Sequence, residues 1–378
     1  MVYSEIEKYI SRLLEGSTPD KPLWNIENIR MGKKPSWNYI DGCMMTSLLV
    51  LGELTGEAKY FDFVKNFIDY YVRDDGSITG YEKEKYALDD ICEGRVLFDL
   101  FDRTGEEKYR RATEMLFDQL KDQPRTVTGN FWHKTIYPDQ IWLDGLYMAM
   151  VFYTRYQKAF GNKDYSDIAM QFENVHRLMR DEKTGLYYHG LDCSKKAFWA
   201  DERGLSRNFW LRAMGWYYAA LTDVCYYTES EELRAKLSGI LRESLGAVSA
   251  YIDKESGMLY QVVDKIGKEG NYPETSGSCM VAYAMMKGAR MGYCEKEYSQ
   301  TGRNIFDSVC RKYLKAHDGE LELDGICLVA GLGPENNRRR DGSYEYYISE
   351  PMVKNEAKGV APFLMCYTEV KRQKDLFV

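Results

Sequence analysis

The chain has little that would hold a metal, a disulfide framework or a polyanion. Only four of its 378 residues are histidine (His133, His176, His189, His317), and they lie far apart, which removes the clustered spacing of a zinc site. Nine cysteines are an odd number without metal-type spacing, the pattern of a reduced chain and not of a disulfide scaffold. Acids outnumber bases, 58 against 51, for a formal net charge of −7. A protein that binds nucleic acid non-specifically needs a basic surface, so that class is excluded. No apolar run approaches the length of a membrane span, and the first ten residues hold no apolar signal core, so no membrane association is expected and the cytoplasm is the expected location. No linker or low-complexity stretch divides the sequence, and residues 1–378 are expected to form one domain. No metal or cofactor is expected, and the sequence leaves the oligomeric state open.

Aromatics, by contrast, are plentiful at 14%, with 31 Tyr and 7 Trp. Most will be core, but flat aromatic faces also suit the stacking of sugar rings. The apolar residues are organised as a repeat. After an amphipathic stretch at residues 3–15, an apolar helix is expected from Trp37 to about Glu53, then a turn, Thr55-Gly-Glu-Ala-Lys-Tyr60. A helix with one wet face follows, its apolar pairs recurring every three to four residues. The same unit returns at Ile91–Arg103 with the turn Thr104-Gly-Glu-Glu-Lys-Tyr109, then from Gln140, Phe209 and Gly277, and a last apolar helix runs from about Lys354 to Lys371. With residues 3–15 as its partner, the count is six helical hairpins, each with an apolar member inside and an amphipathic member outside. An open solenoid would have a regular repeat and polar caps. Here irregular inserts at 184–208, 256–276 and 316–353 each precede an inner helix, so they should gather at one end of a closed ring. The expected fold is all-α, an (α/α)6 barrel, with short strands in the rim loops.

Each inner helix opens on a polar cluster. In order these are Asp41; Asp89 with Asp90; His133 with Asp144; His189 with Arg207 and Arg212; Glu274 with Thr275; and Glu345, Glu350 and Lys354. Trp37, Tyr39, Trp132, Trp142, Trp199, Trp210, Trp216, Tyr344, Tyr346 and Tyr347 sit among them. Acids, histidines and aromatics around one mouth suggest a carbohydrate pocket. Taken singly, an Asp-Gly near a helix start is more often a cap, and Asp41-Gly and Asp144-Gly hold equivalent repeat positions. Asp144 stands out for its setting. A helix start favours the ionised carboxylate, whereas Trp142, Leu143, Tyr147 and Met148 around it favour the neutral acid. That conflict is what a proton-transfer group uses. Arg338-Arg-Arg340 is expected to be a solvated loop, able at most to meet an anionic substrate.

These residues carry a resemblance. Trp37-Asn-Tyr-Ile-Asp-Gly, Leu88-Asp-Asp-Ile, Phe131-Trp-His-Lys, Gln140-Ile-Trp-Leu-Asp-Gly-Leu-Tyr-Met, Phe209-Trp-Leu-Arg-Ala-Met-Gly-Trp, Glu274-Thr-Ser-Gly-Ser and Arg340-Asp-Gly-Ser-Tyr-Glu-Tyr-Tyr resemble the family 105 glycoside hydrolases, the unsaturated rhamnogalacturonyl hydrolases. One departure is Met150-Val-Phe, where a Pro-Phe is usual. The resemblance implies an (α/α)6 barrel and a substrate with a 4,5-unsaturated uronyl residue at its non-reducing end, an oligosaccharide left by a polysaccharide lyase. It implies hydration of the enol-ether double bond in place of attack at the anomeric carbon. By the same resemblance Asp144 is the general acid and then base, and Asp89 the second acid, with Asp90 beside it as an unresolved alternative. Tyr39, His133, Lys134, Trp142, Met148, His189, Trp210 and Arg212 correspond to pocket residues. Rival expectations are an unsaturated glucuronyl hydrolase, a sugar epimerase using His133 and His189, and a non-catalytic helical-repeat scaffold.

Overall fold

The repeated Thr-Gly-Glu turn is a helix stop used twice. Helix Tyr39–Thr55 ends where Gly56 takes φ 71°, and helix Arg95–Thr104 ends where Gly105 takes φ 69°, a left-handed conformation that glycine adopts without steric cost. In both, the threonine hydroxyl bonds back to the carbonyl four residues earlier and receives the amide two residues later. The chain then reverses into the next helix. In a computed structural model, which describes residues 4–375, this hairpin logic holds around the whole molecule.

The inner helices are Tyr39–Thr55; Leu88–Glu93 continued by Arg95–Thr104; Leu143–Gly145 continued through Leu146–Met150 to Val151–Ala159; Leu211–Tyr227; Thr275–Arg290; and Ala357–Asp375. The outer helices are Ala58–Asp69, Glu107–Asp122, Ser166–Met179, Glu231–Ser249 and Tyr298–Tyr313, with Ser4–Glu15 as the sixth. Residue 3, the expected start of that helix, lies outside the described residues. Inner helices are buried on nearly every side, as in Leu211–Cys225. Outer ones bury a single stripe, as Tyr109, Ala112, Thr113, Leu116 and Leu120 show. The last inner helix packs against both Thr275–Arg290 and Tyr39–Thr55, and Ser47 Oγ bonds the Ala361 carbonyl at 3.1 Å. Outside it, Tyr367 and Lys371 both grip Glu7, at 2.7 and 2.6 Å. The ring is therefore closed, an (α/α)6 barrel, which rules out the open solenoid.

Two boundaries differ from the sequence reading, for physical reasons. The second inner helix breaks at Gly94, where a Cβ would lie 2.3 Å from Leu116 Cδ1 and 3.0 Å from Phe152 Cε2; the close approach of two neighbours demands glycine there. The third inner helix does not begin at Gln140. Gln140–Trp142 is a strand, paired antiparallel with Gly190–Asp192, and the helix starts at Leu143. Its second turn, Leu146–Met150, is π-wound, a local widening found mostly at functional sites.

One hydrogen-bond pattern joins the rim. The first amide of an inner helix has no partner within its helix. At five junctions it is taken by a carbonyl from the loop ahead of the next inner helix: Leu88 to His133, Leu143 to His189, Leu211 to Gln261, Thr275 to Gly325 and Ala357 to Trp24, at 2.9–3.1 Å. The inserts thus gather at one end, as expected, and short strands Glu320–Leu323 and Ile326–Cys327 form within them.

Inner helices one and two touch at Gly42, where a Cβ would fall 2.5 Å from the Glu93 Cα. Backbone cannot yield there as a side chain would. Gly42→Ala is expected to lower the unfolding free energy by about 1–3 kcal/mol, read as a lower urea midpoint; an unchanged midpoint would show slack between the helices.

Candidate active site

The rim stitch delivers the side chains of interest. Leu143 N–H on the His189 carbonyl places Asp144 and His189 together: Asp144 Oδ2 lies 3.2 Å from His189 Nε2. The two atoms face each other without full hydrogen-bond alignment, and neither has another protein partner. The Asp144 side chain keeps 13% of its surface accessible, whereas His189 is fully buried. On its far side His189 Nδ1 is 2.7 Å from the Tyr347 hydroxyl. Its ring is walled by Trp142 at 5.3 Å and Trp210 at 4.7 Å. Trp210 stacks in turn on Tyr347 and donates from Nε1 to Gln261.

A second carboxylate group sits one helix earlier. Asp89 forms an ion pair with Lys134 and lies 3.5 Å from His133 Nε2. Burial alone would raise its carboxyl, but Lys134 and His133 outweigh this and hold it below the usual carboxylate range. Lys134 is correspondingly pushed up: burial opposes its charge, and Asp89 more than restores it. His133 is driven down to about 4, mainly by burial, and stacks on Trp142 at 4.5 Å with 14° between the planes. It is therefore a neutral imidazole at neutral pH. Asp90 behaves oppositely to Asp89. Burial and the neighbouring Asp89 charge raise it to about 7. Of the two, Asp89 is the one joined to His133 and Lys134, and both line the same cleft.

Arg212 is buried and held by three groups, Ser276 Oγ at 2.7 Å, the Cys327 carbonyl, and Glu274 at 3.5 Å. Its Nη1 has no protein partner. Tyr39 lines a cleft of about 630 Å³ together with Asp89, Asp90, Lys134, Trp37 and Glu27. A neighbouring cleft of about 690 Å³ is walled by Ile136, Pro138, Phe198 and Pro334. Ile136 lines both. Asp144 lines neither; beside it, a Cβ at Gly145 would touch His133 Nδ1 at 3.3 Å.

Several expected rim residues are elsewhere. Asp41 is a structural acid after all, accepting from Trp24, Asn25 and Asn38. Trp216 packs on Tyr147 inside the barrel, Lys354 pairs with Glu322 and Glu350 with Arg339, and Arg207 and Glu345 are exposed. Met148 is buried in the main hydrophobic core, which gives it a packing role. Sequence reading passed over Glu27, Glu356 and Lys358, a buried cluster in which Lys358 bridges both carboxylates at 2.6 and 3.1 Å. More than 300 residues separate Glu27 from its partner, so no local pattern could have joined them.

Comparison with known proteins gives this geometry its context. The family model described as Glycosyl Hydrolase Family 88 matches residues 16–374. A Clostridium acetobutylicum glycoside hydrolase from family 105 superposes with a TM-score of 0.89, at 39% identity over 97% of this chain and 99% of that one. The chain is a glycoside hydrolase of the family 88/105 group. Within that group it is 28% identical to the unsaturated rhamnogalacturonyl hydrolase YesR of Bacillus subtilis over 266 residues, 68% of this chain and 72% of that protein. An unsaturated glucuronyl hydrolase from Bacillus sp. GL1 shares the fold, with a TM-score of 0.65 at 13% identity over 89% of this chain and 87% of that one. Among the described residues of this hydrolase, no helix is long and apolar enough to cross a membrane.

The raised Asp90 carboxyl has a measurable consequence. Its value moves from 3.8 to about 7 on folding, so between these pH values the folded enzyme holds a proton that the unfolded chain has lost. Its contribution to stability therefore falls as pH rises through that window. Asp90→Asn removes the effect, and the variant should gain on the wild type in thermal midpoint more at about pH 8 than at about pH 5. An equal difference at both pH values would contradict the raised carboxyl.

Proposed function

We propose that the enzyme removes a 4,5-unsaturated galacturonyl residue from the non-reducing end of lyase-generated rhamnogalacturonan oligosaccharides, by hydrating the enol-ether double bond. The observation that carries this reading is the unequal standing of the two carboxylates. Asp89 is committed to Lys134 and His133 and held ionised, so it is a poor proton carrier. Asp144 has only the His189 contact and keeps solvent access. A scheme with a separate acid and base needs two free carboxyl groups; hydration needs one that gives a proton and then takes one.

In this mechanism protonated Asp144 delivers its proton to C4 of the unsaturated ring, and the positive charge develops over C5 and the ring oxygen. Water then attacks C5 while the Asp144 carboxylate accepts its proton, which returns the acid form. The C5 hydroxyl product is a hemiketal; it opens, and the glycosidic bond breaks as the ring is lost. Asp89, fixed by Lys134, offers acceptor oxygens to sugar hydroxyls. The free Nη1 of Arg212 suits the uronate carboxylate, since guanidinium–carboxylate hydrogen bonds are charge-assisted. Trp142 and Trp210 supply flat faces beside the reacting ring, and Tyr39 borders the open cleft. The galacturonyl and rhamnogalacturonan preference is supported by the likeness to YesR.

Asp144→Asn is expected to slow the loss of enol-ether absorbance from an unsaturated galacturonyl-rhamnose disaccharide by about 10³-fold or more, with the thermal midpoint unchanged. Retained turnover would sink the assignment. Saturated galacturonides should not be cleaved, because they lack the bond being hydrated. Parallel assays on unsaturated galacturonyl and glucuronyl disaccharides decide the sugar; faster glucuronyl release would move the enzyme to the other specificity.

A further inference from the structure

Tyr347 lies in the short helix Tyr344–Ser349 of the last insert, far in sequence from every residue of the Asp144 turn. Its hydroxyl meets His189 Nδ1 at 2.7 Å, and both residues are fully buried. Resting on the hydrolase reading above, we propose that Tyr347 is a positioning residue that sets the tautomer of His189: its hydroxyl donates to Nδ1, so the ring proton sits on Nε2, the nitrogen beside Asp144.

Which imidazole nitrogen carries the proton is decided by the partner of the other one. Two arrangements are open to this trio. If Nδ1 donated to Tyr347, the Tyr347 hydrogen would need its own acceptor, and the described residues supply no other partner for that hydroxyl. The Nε2 lone pair would then also face the lone pairs of an ionised Asp144 at 3.2 Å, an unfavourable contact in a buried site. If Tyr347 donates, its O–H has Nδ1 as acceptor, and an N–H in place of a lone pair faces the carboxylate. Burial keeps the Tyr347 phenol protonated and so able to donate.

The tyrosine is itself firmly held. Its carbonyl accepts from Gln261 Nε2 at 3.2 Å, and the Oε1 of that glutamine receives the Trp210 indole. Trp210 stacks on the Tyr347 ring at 5.9 Å. Three inserts, carrying His189, Gln261 and Tyr347, thus cooperate to hold one imidazole beside one carboxylate. The other titratable groups around the trio are His133 and Lys134, from the loop before the third inner helix, and Asp89 in the first turn of the second. From the last insert come Tyr346, Asp341 and Cys327.

The consequence is kinetic. An imidazole N–H facing Asp144 keeps a nitrogen lone pair away from the carboxylate oxygens that must accept a proton from water. Without Tyr347, nothing fixes the tautomer, and part of the His189 population turns an Nε2 lone pair toward those oxygens. Tyr347→Phe is therefore expected to lower kcat about tenfold with KM within about twofold, and to bring an Nδ1-protonated form of His189 into the nitrogen-15 spectrum. In the wild type, nitrogen-15 shifts of the His189 ring should show Nε2 protonated and Nδ1 bare. An unchanged kcat or an unchanged His189 tautomer in Tyr347→Phe, or a wild-type Nδ1–H signal, overturns the proposal. The tautomer measurement needs no variant and no substrate. An enzyme inert toward unsaturated disaccharides would defeat the hydrolase reading, while the spectrum still decides the Tyr347–His189 contact.

Discussion

The site depends on a backbone constraint at the rim: the unpaired first amide of each inner helix must find an acceptor. At five of the six junctions that acceptor is a carbonyl in the loop that leads to the next inner helix. Each bond satisfies a group that would be costly to bury alone. It also sets the depth of each loop against its neighbour helix, so the side chains at those points converge on the mouth. His133 and His189 are at two of the acceptor positions, and Gln261 is at a third. Catalytic placement is here a by-product of finishing helix ends in a closed ring.

Closure has a second effect. A ring of inner helices buried on all sides leaves few ways to admit charge, and several of the charges present are paired. Lys358 lies between Glu27 and Glu356, Lys134 with Asp89, and Arg212 against Glu274 and the Cys327 carbonyl. Desolvation makes an unpaired buried charge expensive, and an opposite charge within reach restores it. Asp144 differs from these, a carboxylate with one imidazole beside it and no cation. The π-wound turn that follows it marks the same place as a departure from regular helix.

The inserts do more than lengthen the loops. The strand Gln140–Trp142 exists only because Gly190–Asp192 of the first insert pairs with it. That pairing brings Trp142 edge-on to His189 and lays its face on His133. The last insert adds Tyr347, and the middle one adds Gln261 to hold it. The surroundings of Asp144 therefore draw on segments spread across most of the chain, although the carboxylate itself sits on one short turn.

The sequence by itself determined the ring. Apolar spacing separates inner from outer helices, the Thr-Gly-Glu stops repeat because glycine must take a left-handed conformation there, and irregular inserts before inner helices exclude a regular solenoid. It also singled out Asp144 as the candidate acid, from its neighbours Trp142, Leu143, Tyr147 and Met148 and from the family resemblance. What only the tertiary structure decided are relations between residues far apart. Asp41 and Asp144 share a local Asp-Gly pattern, yet Asp41 is consumed by Trp24, Asn25 and Asn38. Asp89 and Asp90 are adjacent, yet Lys134 reaches one and leaves the other raised to about 7. Periodicity reports which face is buried; partners, and with them charge state, are set by what the fold brings across the ring.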